Sequence, residues 1–156
     1  MNVSITFCLS LRVYHRHNGA GKTTALNILT GQTLATSGNA TVFGFPVETS
    51  IDNVREITGV CLQHDTLWPE LTPMEHLQLF LMIKGIETQN IERETLRALQ
   101  EVGLDKISQA ELPSKFLSGG MQRRLSVAIS ILGDPKAIFL DEPSAGTIAF
   151  GTDLQN

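Results

Sequence analysis

The stretch HRHNGAGKTT at residues 15–24 constrains this chain more than any other feature of its sequence. Gly19 and Gly21 allow the backbone to curl so that consecutive N–H groups point into one concavity. An apolar-periodic run follows, so a helix should start there and add the positive end of its dipole. Lys22 can then reach the β- and γ-phosphates of a nucleotide, and the Thr23 hydroxyl can ligate Mg²⁺. The stretch is typical of a phosphate-binding loop; a glycine-rich turn that caps a helix is the alternative.

The full phosphate-binding pattern is G-x-x-x-x-G-K-[ST], and this loop departs from it at one position. Arg16 stands where the first glycine belongs. If that position needs a left-handed backbone, a residue with a Cβ costs about 1–2 kcal/mol there. We therefore expect a phosphate-binding loop in which the first position is altered. Its candidate binding residues are Asn18, Gly19, Ala20, Gly21, Lys22, Thr23 and Thr24.

The length and charge of the chain restrict its class. Its 156 residues suffice for one domain, which could bury roughly 70% of the unfolded surface. The net charge of −4 gives no basic footprint for nucleic acid. Cys8 and Cys61 form neither a disulfide framework nor a metal-ligand spacing, so we expect buried fillers in a reducing compartment. No apolar run approaches the roughly 18 residues of a spanning helix, and the start lacks a signal-peptide layout. We expect a soluble piece, or a soluble piece of something larger.

Hydrophobic periodicity predicts alternating strands and helices in the first part of the chain. Period-two alternation over residues 3–13 predicts a half-buried strand that runs almost straight into the phosphate-binding loop. Up to residue 65 the other predicted elements are a helix at 22–30 that ends before Gly31, a loop at 33–39, a strand at 40–43, a helix at 51–57 and a strand at 59–62.

From residue 65 onward the pattern is helical. Thr72, Pro73 and Glu75 combine an N-cap, a proline at the first helical position and a capping-box glutamate, which predicts a helix over residues 73–84. Further helices are predicted at 90–102 and from the LSGGM stretch to residue 132, followed by a buried strand at 137–140. His64 and His76 are predicted to be surface or helix residues rather than metal ligands. Five apolar residues are predicted to be core: Met74, Leu77, Phe80, Leu81 and Ile83.

Polar residues at two strand ends suggest catalysis. Asp141 and Glu142 follow the strand at 137–140, where an ATPase would use the first to hold Mg²⁺ and the second to polarise the attacking water. Strands often end in acidic residues, so the pair favours this chemistry only together with the phosphate-binding loop. Gln63, after the strand at 59–62, could ligate Mg²⁺ and orient the water, or could be a solvated loop residue.

A second glycine motif, Ser118-Gly119-Gly120, precedes a predicted helix. By itself it favours a simple serine N-cap. The alternative is a second anion site made of the Ser118 hydroxyl and free N–H groups. The helices between the two glycine motifs would hold this site away from Lys22, so its phosphate would be one bound by another subunit.

Four stretches then carry a resemblance. NGAGKTT, the strand end at Gln63, LSGGM and IFLDEP resemble, in order and spacing, the nucleotide-binding cassette of ABC transporters over residues 9–146. LTG at 29–31 and the longer stretches at 62–80 and 116–130 resemble the A subfamily, large membrane proteins of which many move lipids. Met121 also matches that subfamily. The resemblance implies an α/β fold, a P-loop NTPase core with a mostly parallel sheet plus an inserted helical subdomain. The core would span residues 1–65 and 126–146, the helical subdomain with the signature 66–125, and a divergent tail 147–156.

The resemblance also implies roles for residues. Two cassettes would close head to tail around two ATP molecules, with the phosphate-binding loop of one facing Ser118, Gly119 and Gly120 of its partner. ATP and Mg²⁺ would be the cofactors. The whole transporter would include transmembrane domains outside this chain, would act at the cytoplasmic face of a membrane, and would take no nucleic acid. The implied catalytic residues are Glu142 and Gln63, and the implied metal ligands are Thr23, Gln63 and Asp141.

Three departures from the family limit what the resemblance implies for this chain. LSLRVY at residues 9–14 resembles a segment that the family places well before the loop, so the strand between them is expected to be missing, which would deprive its neighbours of ladder partners. Thr147 and Ile148 replace an expected apolar residue and aspartate. The given residues stop before the position at which the family's switch histidine is expected, and we expect no transmembrane segment within them. We expect a fragment, a splice product or a faulty gene model. Tyr14 is a candidate for adenine stacking.

Two other functions stay open at this point. Arg16 and the missing strand favour a non-catalytic remnant that binds nucleotide or pairs with an intact cassette. A soluble ABC ATPase of DNA repair is disfavoured, because residues 26–116 contain neither a long coiled coil nor a zinc insertion and the chain is acidic.

Overall fold

The computed structural model describes residues 6–7, 22–62 and 66–140. The strands are β1 (Thr6–Phe7), β2 (Thr41–Val42), β3 (Phe45–Pro46), β4 (Thr58–Cys61) and β5 (Ala137–Leu140). The helices are α1 (Lys22–Leu29), α2 (Ile51–Ile57), α3 (Pro73–Ile83), α4 (Thr88–Glu101), α5 (Ile107–Ala110) and α6 (Gly119–Ile131), with a 3₁₀ turn at Ser114–Phe116. Residues 6–7, 22–62 and 134–140 belong to one compact unit, and residues 66–133 to a second.

The first unit is built on short strands. Strands β1 and β2 are parallel, and β2 pairs with β3 in antiparallel fashion. Strands β4 and β5 form a separate parallel pair. Apolar side chains on α1, on α2 and around these strands form its core, which consists of Leu29, Val42, Val47, Val54 and Phe139. The α/β fold with parallel strand pairing is therefore confirmed.

Most predicted elements of the first unit are present. The helix predicted at 22–30 is α1, and Gly31 follows with a positive φ of 68°. Cys61 is 2% exposed, which confirms its prediction as a buried filler. The strand predicted at 40–43 is shorter, because Phe43 and Gly44 adopt positive φ values and turn the chain back into β3. A two-residue turn with two positive φ values makes a tight hairpin, but phenylalanine is an unusual residue in it, so the pattern did not predict β3.

The second unit is helical. Helix α3 begins with the predicted capping box: the Thr72 hydroxyl accepts a hydrogen bond from the Glu75 N–H at 3.2 Å, and the Glu75 carboxylate accepts one from the Thr72 N–H at 2.8 Å. Helix α4 begins two residues before its predicted start. After α4, the Arg124 guanidinium donates to the carbonyl oxygens of Val102 and Gly103 at 3.1 and 3.0 Å. Arg124 thereby joins the end of α4 to α6.

The core of the second unit confirms most of the predicted core residues. Leu77 and Leu81 are fully buried, and Met74 and Phe80 pack partly buried against them. Ile83 is 67% exposed, so its prediction was wrong. It lies two positions after Leu81, about 200° around a helix of 3.6 residues per turn, and so faces away from the core. His76 is a helix residue as predicted, but it is fully buried rather than on the surface.

Several predictions concern residues outside the described part. The strand predicted at 3–13 is described only at Thr6–Phe7, and the departures at Arg16 and at Thr147 and Ile148 are not covered. The predicted division at residue 125 falls within α6, which runs without a break through Ile131. Among the described residues, no helix combines the length and the apolar character needed to cross a membrane.

Candidate functional site

The predicted phosphate-binding residues meet the described structure at the start of α1. Lys22, Thr23 and Thr24 form its first turn. A helix therefore begins where the sequence predicted that one would follow the loop, so the positive end of its dipole lies at Lys22. The predictions for Asn18, Gly19, Ala20 and Gly21 lie outside the described residues.

The parallel pair of β4 and β5 aligns the strand ends that precede the predicted catalytic residues. Thr58 pairs with Ala137, and the register continues to Cys61 opposite Leu140. Both strands therefore end side by side at the same edge of the sheet. In parallel α/β sheets, ligands bind outside the carboxyl ends of the strands. Gln63, Asp141 and Glu142 follow these ends in the sequence but are themselves outside the described residues.

The N-terminus of α6 is the part of the predicted site that the structure describes fully. Ser118 is the N-cap, and its hydroxyl accepts a hydrogen bond from the Met121 N–H at 3.3 Å. The Ser118 carbonyl accepts from the N–H groups of Met121 and Gln122 at 2.9 Å each. The N-cap interpretation is therefore confirmed. A hydroxyl that accepts still has its own O–H to donate, so a capping serine can also bind an anion.

The two glycines after Ser118 leave this helix end open. Gly119 and Gly120 are exposed, and among the described residues their N–H groups have no acceptor. A Cβ added at either position would meet no atom within 4 Å. The first turn of α6 also carries no acidic side chain. Packing within the described chain thus gives no reason for glycine here, whereas the close approach of an anion to two free N–H groups at a helix N-terminus does.

The segment just before α6 is held by contacts that the sequence did not predict. Ser114 is buried, and its hydroxyl donates to the Trp68 carbonyl at 2.6 Å. The backbone N–H of Ser114 donates to the Leu71 carbonyl at 2.9 Å, and that of Lys115 to the Pro69 carbonyl at 3.1 Å. No sequence pattern marks Ser114, because its partner Trp68 lies 46 residues away.

Trp68 is held in turn by His76 of α3. The backbone N–H of Trp68 donates to His76 Nε2 at 2.9 Å, and His76 Nδ1 lies 2.8 Å from the Thr72 carbonyl oxygen. Burial lowers the pKa of His76 below its usual value of 6.5, and the Thr72 hydrogen bond and the Glu75 charge oppose this only in part. The imidazole is therefore neutral at pH 7, with its proton on Nδ1.

This pKa shift predicts a pH dependence of stability. Because the unfolded chain takes up the His76 proton more readily than the folded chain, the stabilisation is complete above about pH 6.5 and is lost as the pH falls below it, by at most about 1.4 kcal/mol per pH unit. Urea unfolding at about pH 7.5, 6.5 and 5.5 should show this decline in the wild type. His76→Gln, which cannot titrate, should show a smaller decline, and equal slopes in the two proteins would contradict the assignment.

Comparisons with known proteins agree with this structure. A sequence profile described as "ABC transporter" matches residues 16–145. In fold, the chain is similar to a solved structure described as the ATP-binding subunit of an ABC transporter, with a TM-score of 0.71 and 24% identity over 91% of this chain and 54% of that one. This structural similarity confirms the predicted P-loop NTPase fold.

Curated relatives share more of the sequence. ABC transporter A family member 1 of Dictyostelium discoideum is 52% identical over 129 residues, which cover 83% of this chain and 14% of that protein. The human retinal-specific phospholipid-transporting ATPase ABCA4 is 46% identical over 130 residues, 83% of this chain and 6% of that protein. The chain thus spans a small part of the length of these relatives. Because the profile covers most of the chain, the protein belongs to the ABC transporter family, as an ATP-binding domain similar to those of the A subfamily.

Proposed function

We propose that this chain binds and hydrolyses ATP as the nucleotide-binding domain of an A-subfamily transporter that moves lipid across a membrane. The open N-terminus of α6 is the observation that carries the proposal. Ser118 offers a hydroxyl, and Gly119 and Gly120 offer two N–H groups without an acceptor among the described residues. Three donors at one helix N-terminus suit a terminal phosphate.

The other predicted residues supply the remaining parts of the site. In this proposal the loop residues Asn18, Gly19, Ala20 and Gly21 surround the phosphates of ATP together with Lys22, Thr23 and Thr24. Mg²⁺, when bound, neutralises charge on the phosphate oxygens. Its ligands would be Thr23, Gln63 and Asp141. The aligned ends of β4 and β5 support a common location for the last two of these.

Hydrolysis would depend on Glu142. Its carboxylate would accept a proton from the attacking water, and Gln63 would help to orient that water. Ser118, Gly119 and Gly120 would act on the phosphate held by a second cassette in a head-to-tail pair. The pair would serve transmembrane domains at the cytoplasmic face of the membrane. One human relative is a phospholipid-transporting ATPase, which supports the lipid substrate.

Thermal unfolding with and without millimolar Mg-ATP tests the binding step. A ligand at about 100 times its dissociation constant adds roughly 2.7 kcal/mol to stability. We expect a rise in Tm for the wild type and for Lys115→Ala, whose lysine is exposed, and no rise for Lys22→Ala. An unchanged Tm in the wild type, or an equal rise in Lys22→Ala, would contradict nucleotide binding by the loop.

Phosphate release separates hydrolysis from binding alone. Glu142→Gln should keep the ATP-dependent rise in Tm while losing phosphate release, because the base is removed and the phosphate contacts remain. A wild type that binds ATP without releasing phosphate would support the second candidate, a non-catalytic nucleotide-binding cassette. Arg16 in place of the first glycine of the loop is the observation that favours this alternative.

A further inference from the structure

A continuous chain of hydrogen bonds runs from the start of α3 to the first turn of α6. His76 bridges the Thr72 carbonyl and the Trp68 N–H, at 2.8 and 2.9 Å. The Trp68 carbonyl accepts from the Ser114 hydroxyl at 2.6 Å. The Ser114 carbonyl accepts from the Gln122 side-chain amide at 2.9 Å. Four hydrogen bonds thus connect the capped end of one helix to the open end of another.

These hydrogen bonds require one tautomer of neutral His76. A backbone N–H can only donate, so His76 Nε2 must be an unprotonated acceptor. The Nδ1 atom must therefore carry the proton and donate a hydrogen bond to the Thr72 carbonyl oxygen. The His76 side chain is fully buried. Removing the Nε2 acceptor would leave the Trp68 backbone N–H without its protein partner, and a donor left without a partner costs free energy.

Trp68 connects His76 to Ser114 through its backbone. Residues 68–71 receive three hydrogen bonds from Ser114 and Lys115, through the carbonyls of Trp68, Pro69 and Leu71. The Trp68 ring also lies against His76, with ring centroids 5.8 Å apart. The position of Ser114 therefore depends on a loop whose first residue His76 holds.

We propose that His76 is a positioning residue for the N-terminus of α6, acting through Trp68 and Ser114. It touches no ligand; it holds the backbone from which Ser118, Gly119 and Gly120 project. The consequence for nucleotide rests on the proposed function, but the positioning itself does not.

Two substitutions of His76 test the positioning without nucleotide. Gln can place an amide oxygen near the Nε2 position and so accept from Trp68, whereas Leu fills similar space without an acceptor. Hydrogen exchange of the full chain should show amides of residues 114–117 exchanging about tenfold faster in His76→Leu, the scale of one lost buried hydrogen bond. In His76→Gln the exchange should stay near that of the wild type.

A matched control distinguishes positioning from general loss of stability. Leu99 is buried in the same helical unit but takes no part in the chain of hydrogen bonds. Leu99→Ala should speed exchange without a selective change at 114–117. If His76→Leu raises exchange evenly over the second unit, or if His76→Gln behaves as His76→Leu does, the proposal is wrong. Should His76→Leu fail to fold, Ser114→Ala breaks the next bond and must give the same selective change.

Measurements with nucleotide distinguish a failure of this inference from a failure of the proposed function. With Mg-ATP, His76→Leu should retain the Lys22-dependent rise in Tm but lose phosphate release, as Ser118→Ala should. If the Tm of the wild type did not respond to ATP, the proposed function would be wrong, whereas the exchange result would still test the positioning by His76. A selective change in exchange with wild-type phosphate release would overturn the functional consequence alone.

Discussion

Leu81→Ala is expected to lower the free energy of unfolding of the helical unit by about 2–5 kcal/mol. Leu81 is fully buried on α3, in the core that α4 and α6 share. Truncation removes apolar contacts and leaves a cavity that the surrounding helices can fill only in part. Trp68 is the single tryptophan of the chain and lies in this unit, so its fluorescence during urea unfolding measures the effect.

The next residue on the helix provides the control. Met82 is 55% exposed, so Met82→Ala should change the free energy of unfolding by less than about 1 kcal/mol. Similar losses for Leu81→Ala and Met82→Ala would show that the burial of α3 is not as described.

Gly31→Ala should destabilise the first unit by about 2–4 kcal/mol. Gly31 follows the end of α1 with φ at 68°, where a residue with a Cβ is strained. The new Cβ would also lie 2.3 Å from Cδ1 and 2.6 Å from Cγ1 of Ile51, the first residue of α2. The side chain of Ile51 is branched and stiff, so it can give way only in part. Circular dichroism during urea unfolding measures the loss.

Gly38→Ala separates the backbone strain from the collision. Gly38 has φ at 86°, but an added Cβ would meet nothing within 4 Å. It should therefore show only the backbone cost of about 1–2 kcal/mol. A loss as large as that of Gly31→Ala would mean that contact with Ile51 contributes nothing.

Sequence patterns predicted the elements whose signals are local. The capping box at Thr72 and Glu75 joins residues three positions apart, and the structure contains both of its hydrogen bonds. Gly31 marked the end of α1 for the same reason. The prediction for Ile83 failed because apolar character alone does not say which side of a helix faces the core. That depends on the helices packed against it.

The predictions for the candidate site likewise succeeded for local features and failed for those that depend on distant partners. The sequence predicted that Ser118 would cap α6, and the structure adds that the N–H groups of Gly119 and Gly120 have no acceptor among the residues that it describes. Nothing in the sequence pointed to His76 as more than a helix residue. Its role depends on where the loop at Trp68 lies, and that loop is placed by contacts with Ser114.

By itself, the sequence predicted the α/β class, because helix caps, glycine turns and hydrophobic periodicity act within a few neighbouring residues. Its motifs pointed to the family by resemblance, and the residues proposed to bind phosphate stay a prediction. Only the tertiary structure decided that β4 and β5 end side by side, and that His76 is held neutral between Thr72 and Trp68. Strand register and buried hydrogen bonds depend on partners far away in the chain. Their energies arise from packing that brings those partners together, and no local pattern of residues records it.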